Sequence, residues 1–177
     1  MRLFPAGGES DPISCELFHS PLARSETPRY EALSYVWGDP TITENIYIIN
    51  AVGGRKATRI LPVTANLYAA LQVLRNYLKP LVLWIDAICI DQNNDFERGH
   101  QVQSILEIYS FAEGVKAWIG PEEQNEPSLA SLVHTFFECN RFSTLEAEAF
   151  ARYASRPWFK RIWVRHMSST VANTRLI

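Results

Sequence analysis

The chain has 177 residues, 47% of them hydrophobic and 20% charged, with a formal net charge of −2. That suffices for one globular domain with a sizeable core, and it leaves no global field to draw nucleic acid or an anionic membrane. Cys15, Cys89 and Cys139 are scattered without a CxxC pair, which fits reduced thiols in a cytoplasmic protein rather than a disulfide framework.

The N-terminus reaches Gly7-Gly8 too soon for an export signal. Ile13 to His19 alternates loosely and suggests a first strand; residues 20–29, with Pro21 and Pro28, read as a loop. Ala32 to Val36 suggests a short strand ended by Trp37-Gly38-Asp39-Pro40. Ile46 to Ile49 and Thr58 to Leu61 flank Gly53-Gly54 and predict a β-hairpin with a longish loop. Thr64 can cap a helix over 65–78 whose Leu67, Leu71, Leu74 and Leu78 recur at helical spacing, with Pro80 blocking continuation. Leu81 to Ile85 is an unbroken apolar run of strand length, as in a strand covered on both faces, and Trp84 is expected to be largely buried. The wider run to Ile90 is half a membrane span and is interrupted by Asp86, so no membrane-crossing helix is expected. Cys89 lies in this run and reads as buried.

Asp91 to Asp95 is a polar turn, and Asn94 with Glu97 looks like a capping box. The helix that follows should bury Val102, Ile105, Leu106 and Tyr109, with His100 outward and Gly114 as its C-cap. Val115 to Ile119 reads as another strand. A helix burying Leu129, Leu132, Val133, Phe136 and Phe137 comes next, then a second one opened by Ser143 and Glu146 and ending near Tyr153. Strands alternating with helices argue for an α/β layered fold with a partly parallel sheet.

Ligands of open α/β sheets bind beyond the carboxyl ends of the strands. Asp39, Asp86 and Asp91 each follow such an end and can share a crevice, where carboxylates bind ribose hydroxyls or accept protons. Each can equally serve a turn, as aspartates often do. There is no GxGxxG, GxxxxGK[ST] or GxSxG signature. Asp91 to Asp95 is no calcium loop, because Phe96 stands where glycine is needed. His19, His100, His134 and His166 lack metal-ligand spacing. Basic and aromatic residues interleave from Arg152 to Arg165, but a lone stretch in a weakly acidic chain fits snorkelling arginines better than a nucleic-acid site.

Tyr30-Glu-Ala-Leu-Ser-Tyr-Val-Trp-Gly-Asp39 closely resembles the opening motif of heterokaryon-incompatibility (HET) domains. Leu83-Trp-Ile-Asp-Ala-Ile-Cys-Ile-Asp-Gln92 resembles their central motif, with Asp91 where asparagine is usual. Glu97-Arg98, Gln101-Val102, Ile108-Tyr109 and Val115 to Gly120 follow at the family's spacing. Arg156-Pro-Trp-Phe-Lys-Arg-Ile-Trp163 resembles the third motif. The likeness covers roughly 13–165. It implies a module of fungal non-self recognition and programmed cell death, acting through self-association or with other incompatibility proteins. HET domains are remotely similar to Toll/interleukin-1-receptor (TIR) domains, which implies a flavodoxin-like fold and NAD as a possible ligand or substrate. No other cofactor or metal is implied. The implied crevice comprises Tyr35, Trp37, Gly38, Asp39, Trp84, Asp86, Asp91, Gln92, Glu97, Arg98, Gln101 and Trp163.

Met167 stands where the TIR enzymes place their catalytic glutamate, and His166 where glutamine is usual. A thioether cannot stabilise a developing oxocarbenium ion as a carboxylate does. The domain is therefore read as residues 1–167, cut short at its C-terminal side, with a divergent tail over 168–177. Trp158, Phe159 and Trp163 are expected to be under-covered there. The function expected is signalling with impaired catalysis. The alternatives are an NAD-cleaving enzyme using Asp39, Asp86 or Glu97, and a regulatory fragment that binds a full-length relative.

Overall fold

A computed structural model describes the chain except for residues 9, 24–25, 53–54, 122–126, 140–142 and 161–173, and the side chains at 51, 52, 55, 56, 130, 136, 137 and 139. Trp163, His166, Met167 and the side chains of Phe136 and Phe137 thus lie outside the described residues. The N-terminal half supplies β1 (Arg2–Leu3), β2 (Ser14–Glu16), β3 (Glu31–Ser34), β4 (Thr43–Val52), β5 (Arg55–Thr64) and α1 (Ala65–Leu74). The remainder supplies β6 (Leu81–Trp84), α2 (Asp86–Cys89), α3 (Asp95–Gln103), α4 (Ile105–Phe111), β7 (Gly114–Ala117), α5 (Leu129–Cys139), α6 (Thr144–Ser155), a 3-10 turn (Pro157–Lys160) and β8 (Thr174–Leu176).

The strands form one mixed sheet in the order β5-β4-β2-β1-β6-β3-β7-β8. β6, β3, β7 and β8 run parallel to one another, and β4 pairs antiparallel with β5. The partly parallel α/β sheet and the hairpin expected from the sequence are therefore present. The hairpin is longer than its periodicity suggested, since pairing continues out to Val52 and Arg55, leaving a two-residue connection. No helix among the described residues is long and apolar enough to cross a membrane.

One face of the sheet carries the main core. Leu83 and Ile85 point to it beside Leu33, Ile46 and Ile48, and α1 covers them with Leu67, Ala70 and Leu71. Thr64 caps α1 as expected, its hydroxyl accepting from the Leu67 amide. The helix stops a turn early, at Leu74. The Arg75 guanidinium reaches back to the Asp11 and Pro12 carbonyls, at 2.9 and 3.0 Å, and draws the chain away. Leu78, expected in the core, is consequently 85% exposed.

On the other face Trp84 is only half-buried, packed edge-to-face on Tyr109 of α4 with ring centroids 5.7 Å apart. The helix expected after Asn94 is broken at Ser104 into α3 and α4. The break re-aims the apolar stripe: Ile108 is buried, while Val102 and Leu106 are exposed. Gly114 opens β7 rather than capping α4, whose C-cap is Ala112. Beyond β7, Ala117, Ile119, Leu132, Ala149, Tyr153 and Trp158 form a second cluster. Trp158 is fully covered there, against expectation, whereas Phe159 is 37% exposed and Val133 lies at the surface. The Ser143–Glu146 capping box forms as the sequence indicates. Residues of the tail join the sheet, with Thr174, Arg175 and Leu176 paired to Val115, Lys116 and Ala117.

Of the two cysteines described, Cys15 is the buried one, and burial pushes its thiol up to about 11. Cys89 is only half-buried, contrary to the expectation from its apolar neighbours.

Leu71→Ala should cost about 2–5 kcal/mol of unfolding free energy, because Leu71 is wholly enclosed. Leu78→Ala should stay within about 0.5 kcal/mol, as for other surface changes. Urea denaturation of both variants checks the pair, and equal losses would contradict the early end of α1.

Candidate functional site

Three parallel strands, β6, β3 and β7, bring their carboxyl ends to one edge of the sheet. Their continuations are Ile85-Asp86, Tyr35-Val36-Trp37-Gly38 and Trp118-Ile119-Gly120. Backbone groups at such ends lose their ladder partners and must be satisfied by side chains or water. Here the Asn66, Gln92 and Arg156 side chains donate to the carbonyls of Val36, Asp86 and Gly120.

Asn66, in the first turn of α1, is central. Its amide nitrogen donates to the Val36 carbonyl at 2.5 Å, and its oxygen accepts from the Trp118 indole at 2.9 Å. One side chain thus ties α1 to the ends of β3 and β7. Gly38 adopts φ +79°, and a Cβ there would approach the Asn66 Cβ to 3.1 Å. Gly38 is therefore required both for its backbone conformation and for the close approach. The Trp158 indole donates to the Ser34 hydroxyl at 3.1 Å, closing the same edge from below. Arg156 donates to the Gly120 carbonyl at 3.2 Å and lies over the Tyr153 ring, 4.3 Å from its centroid. Asn66, Trp118 and Ser34 were not among the site residues expected from the sequence, and Trp158 was expected there only as an under-covered aromatic. An asparagine inside a helix, where it forfeits propensity, was the one available signal.

The expected site residues divide into separate groups. Trp37 and Asp86 meet: the exposed indole donates to Asp86 Oδ2 at 3.1 Å, linking the first two motifs. The second carboxylate oxygen of Asp86 accepts from the Ala87 amide. Gln92 donates to the Asp86 carbonyl at 2.8 Å, and Arg98 donates to the Gln92 carbonyl at 3.3 Å. Glu97 accepts from the Asp91 amide at 3.1 Å rather than completing a capping box; Asn94 alone caps α3. Asp91 itself accepts from the Asn93 amide. Arg98 pairs with Asp95 one turn earlier.

Asp39 turns to its own loop, accepting from the Thr41 amide and hydroxyl at 2.8 and 2.7 Å. The Thr41 hydroxyl, then its amide, hold the Asp39 carboxyl below the usual value, so it stays ionised and is unsuited to donating a proton. Tyr35 is buried in the core, too deep to line a surface site. Trp84 and Gln101 line a different space, a cavity of about 570 Å³ that also involves His19, His100 and Glu107. A second cavity of about 810 Å³, mostly apolar, is lined by Trp118, Tyr153, Arg156 and Val73. Neither cavity includes Trp37, Asp39 or Asp86. Among the described residues no group of three or more His, Cys, Asp or Glu side chains is arranged to hold a metal. The Asp39 and Asp91 carboxylates thus hold their own turns, while Asp86 joins the loop of the first motif to the start of α2.

The family model described as heterokaryon incompatibility protein (HET) matches residues 30–166. Heterokaryon incompatibility protein 6, OR allele, of Neurospora crassa is 33% identical over 207 residues, an alignment that takes in 92% of this chain and 30% of that protein. The chain thus spans less than a third of the length of this curated relative. No solved structure matches.

Asn66→Ala should cost about 2–3 kcal/mol, since it strands the buried Trp118 indole and a strand-end carbonyl; a denaturant midpoint unchanged from the parent would refute the clamp. Thr41→Val should raise the Asp39 pKa toward the ordinary 3.8. A depressed folded pKa gives stability that is present above the unfolded value and lost as pH falls through the folded one. The variant should therefore lose part of the acid-side dependence below about pH 4, as followed by NMR titration of the Asp39 carboxyl.

Proposed function

Because the chain belongs to the heterokaryon incompatibility (HET) family, we propose that it is a signalling module of fungal non-self recognition, working in the cytoplasm and feeding into programmed cell death. It acts by contact, through self-association or with other incompatibility proteins, rather than by turning over a small molecule. The observation that carries this reading is the junction of the family's two long motifs: Trp37 of the first closes on Asp86 of the second at an exposed edge. A recognition surface needs such a rigid, displayed junction. The carboxylates of Asp39, Asp86 and Asp91 serve this edge by accepting backbone amides, which orients them toward their own loops.

A remote kinship to TIR domains is part of the proposal, supported by the parallel β6-β3-β7 core under helices. NAD is then a possible ligand, but not one that this chain cleaves. By the resemblance, Met167 stands in the sequence where the related enzymes have their glutamate, and losing one electrostatic group of that kind costs a factor of about a hundred to a thousand.

Induced expression in a filamentous fungus should lower viability without a preceding fall in cellular NAD. Trp37→Phe, which keeps the ring and removes the N–H, should weaken that response at equal protein level. The purified chain should release no nicotinamide from NAD, while His166→Gln with Met167→Glu tests for restored cleavage. NAD loss ahead of cell death, or cleavage by the unaltered chain, would replace the contact reading with the enzymatic one. Unchanged viability at matched expression would sink the signalling role.

A further inference from the structure

β5 closes the described sheet on one side, with no strand beyond it. Its ladder with β4 has a definite phase. The Ala65 amide donates to the Ile42 carbonyl at 2.9 Å, and hydrogen-bonded pairs recur at every second residue of an antiparallel ladder. The pairs Ile46–Leu61, Ile48–Arg59 and Asn50–Ala57 therefore exchange backbone hydrogen bonds. Lys56, Thr58, Ile60 and Pro62 turn their backbone groups outward instead. Pro62 agrees with this phase, since a residue with no N–H is tolerated only on the open side of an edge strand. The backbone donors and acceptors of Thr58 and Ile60 are left for water or for another strand.

The side chains of this edge have a definite chemistry. β5 contains Arg55, Lys56 and Arg59 and no acidic residue. Arg59 is exposed and makes no ion pair among the described residues. The nearest acid on β4, Glu44, is paired opposite Val63 at the far end of the ladder. Ile60 is 55% exposed, so the edge also offers apolar surface. Lysine and proline on an open edge discourage pairing with a like strand. A second copy of β5 would bring a second Arg59 into the same ribbon, where like charges oppose pairing. The features that reject a copy of this strand favour an acidic one.

We infer that the β5 edge is a docking site for an extended, acidic segment of a partner protein. That segment adds antiparallel or parallel to β5 over residues 56–60. Main-chain hydrogen bonds to Thr58 and Ile60 supply affinity, and the exposed Arg59 charge selects a carboxylate. Pairing ends at Pro62, which offers no N–H.

The probe is a fluorescein-labelled hexapeptide, Thr-Glu-Val-Glu-Val-Thr, with its lysine counterpart, Thr-Lys-Val-Lys-Val-Thr, as control. Fluorescence anisotropy with the whole chain should show binding of the acidic peptide, weakened by added salt, and none of the lysine peptide. Bound acidic peptide should slow amide hydrogen exchange at Thr58 and Ile60. Arg59→Glu, an exposed change that spares the fold, should weaken the acidic peptide roughly tenfold or more and admit the lysine peptide. Thr58→Pro, which removes an outward N–H, should abolish binding while far-ultraviolet circular dichroism stays unchanged. Equal binding of both peptides, no binding of the acidic one, or protection at amides elsewhere would each overturn the inference. So would a dimer of the chain itself that protects the same two amides.

Discussion

The Asn66 side chain holds together three elements that the backbone alone leaves apart. Its nitrogen takes the carbonyl that ends β3, its oxygen takes the indole that follows β7, and its backbone belongs to the first turn of α1. Two hydrogen bonds at a partly buried site are worth little as a net gain, but a great deal to lose once the partners are enclosed. Gly38 beside it adopts φ +79°, a conformation that favours glycine, and a Cβ there would also crowd Asn66. The loop carrying Trp37 is therefore aimed by Asn66, and Trp37 can then reach Asp86.

That chain of constraints explains why the edge looks polar in sequence yet behaves as structure. Strand ends in parallel sheets leave backbone groups unpaired, and proteins often place ligands there. In this chain the side chains of the chain itself take those positions. Trp118 and Trp158 are buried and spend their N–H groups on Asn66 and Ser34. Asp39 and Asp91 serve turns, and Asp86 holds an indole and an amide. Each aspartate thus has both the local role that its residue type favours and a place near the site that the motifs mark.

The two faces of the molecule also divide its properties. The face under α1 is a close-packed core whose members reach near-zero exposure, while the face under α3 and α4 is looser and contains a cavity beside Trp84 and Gln101. The break at Ser104 contributes to this difference. It removes Val102 and Leu106 from the apolar stripe and leaves Ile108 as the buried anchor. Far from that cavity in the strand order, the long β4–β5 hairpin carries the sheet to an open, cationic edge.

The sequence by itself determined the alternation of strands and helices, the strand at Leu81 to Trp84, the Thr64 and Ser143 caps and the family motifs. These are local properties, written in apolar period and in residues a few positions apart. It also placed Trp37, Gly38, Asp39 and Asp86 in one crevice at neighbouring strand ends; of these Trp37 and Asp86 meet, while the Asp39 carboxylate turns to Thr41. Only the tertiary structure decided that Leu78 lies outside the core, that Tyr35 lies inside it, and that Trp84 and Asp86 serve different spaces. Those outcomes turn on partners far away in the chain: Arg75 reaching Asp11, Asn66 reaching Trp118, Trp158 reaching Ser34. Side-chain periodicity says which residues want a partner. Which partner each receives depends on strand order, and that is settled only when the whole sheet assembles.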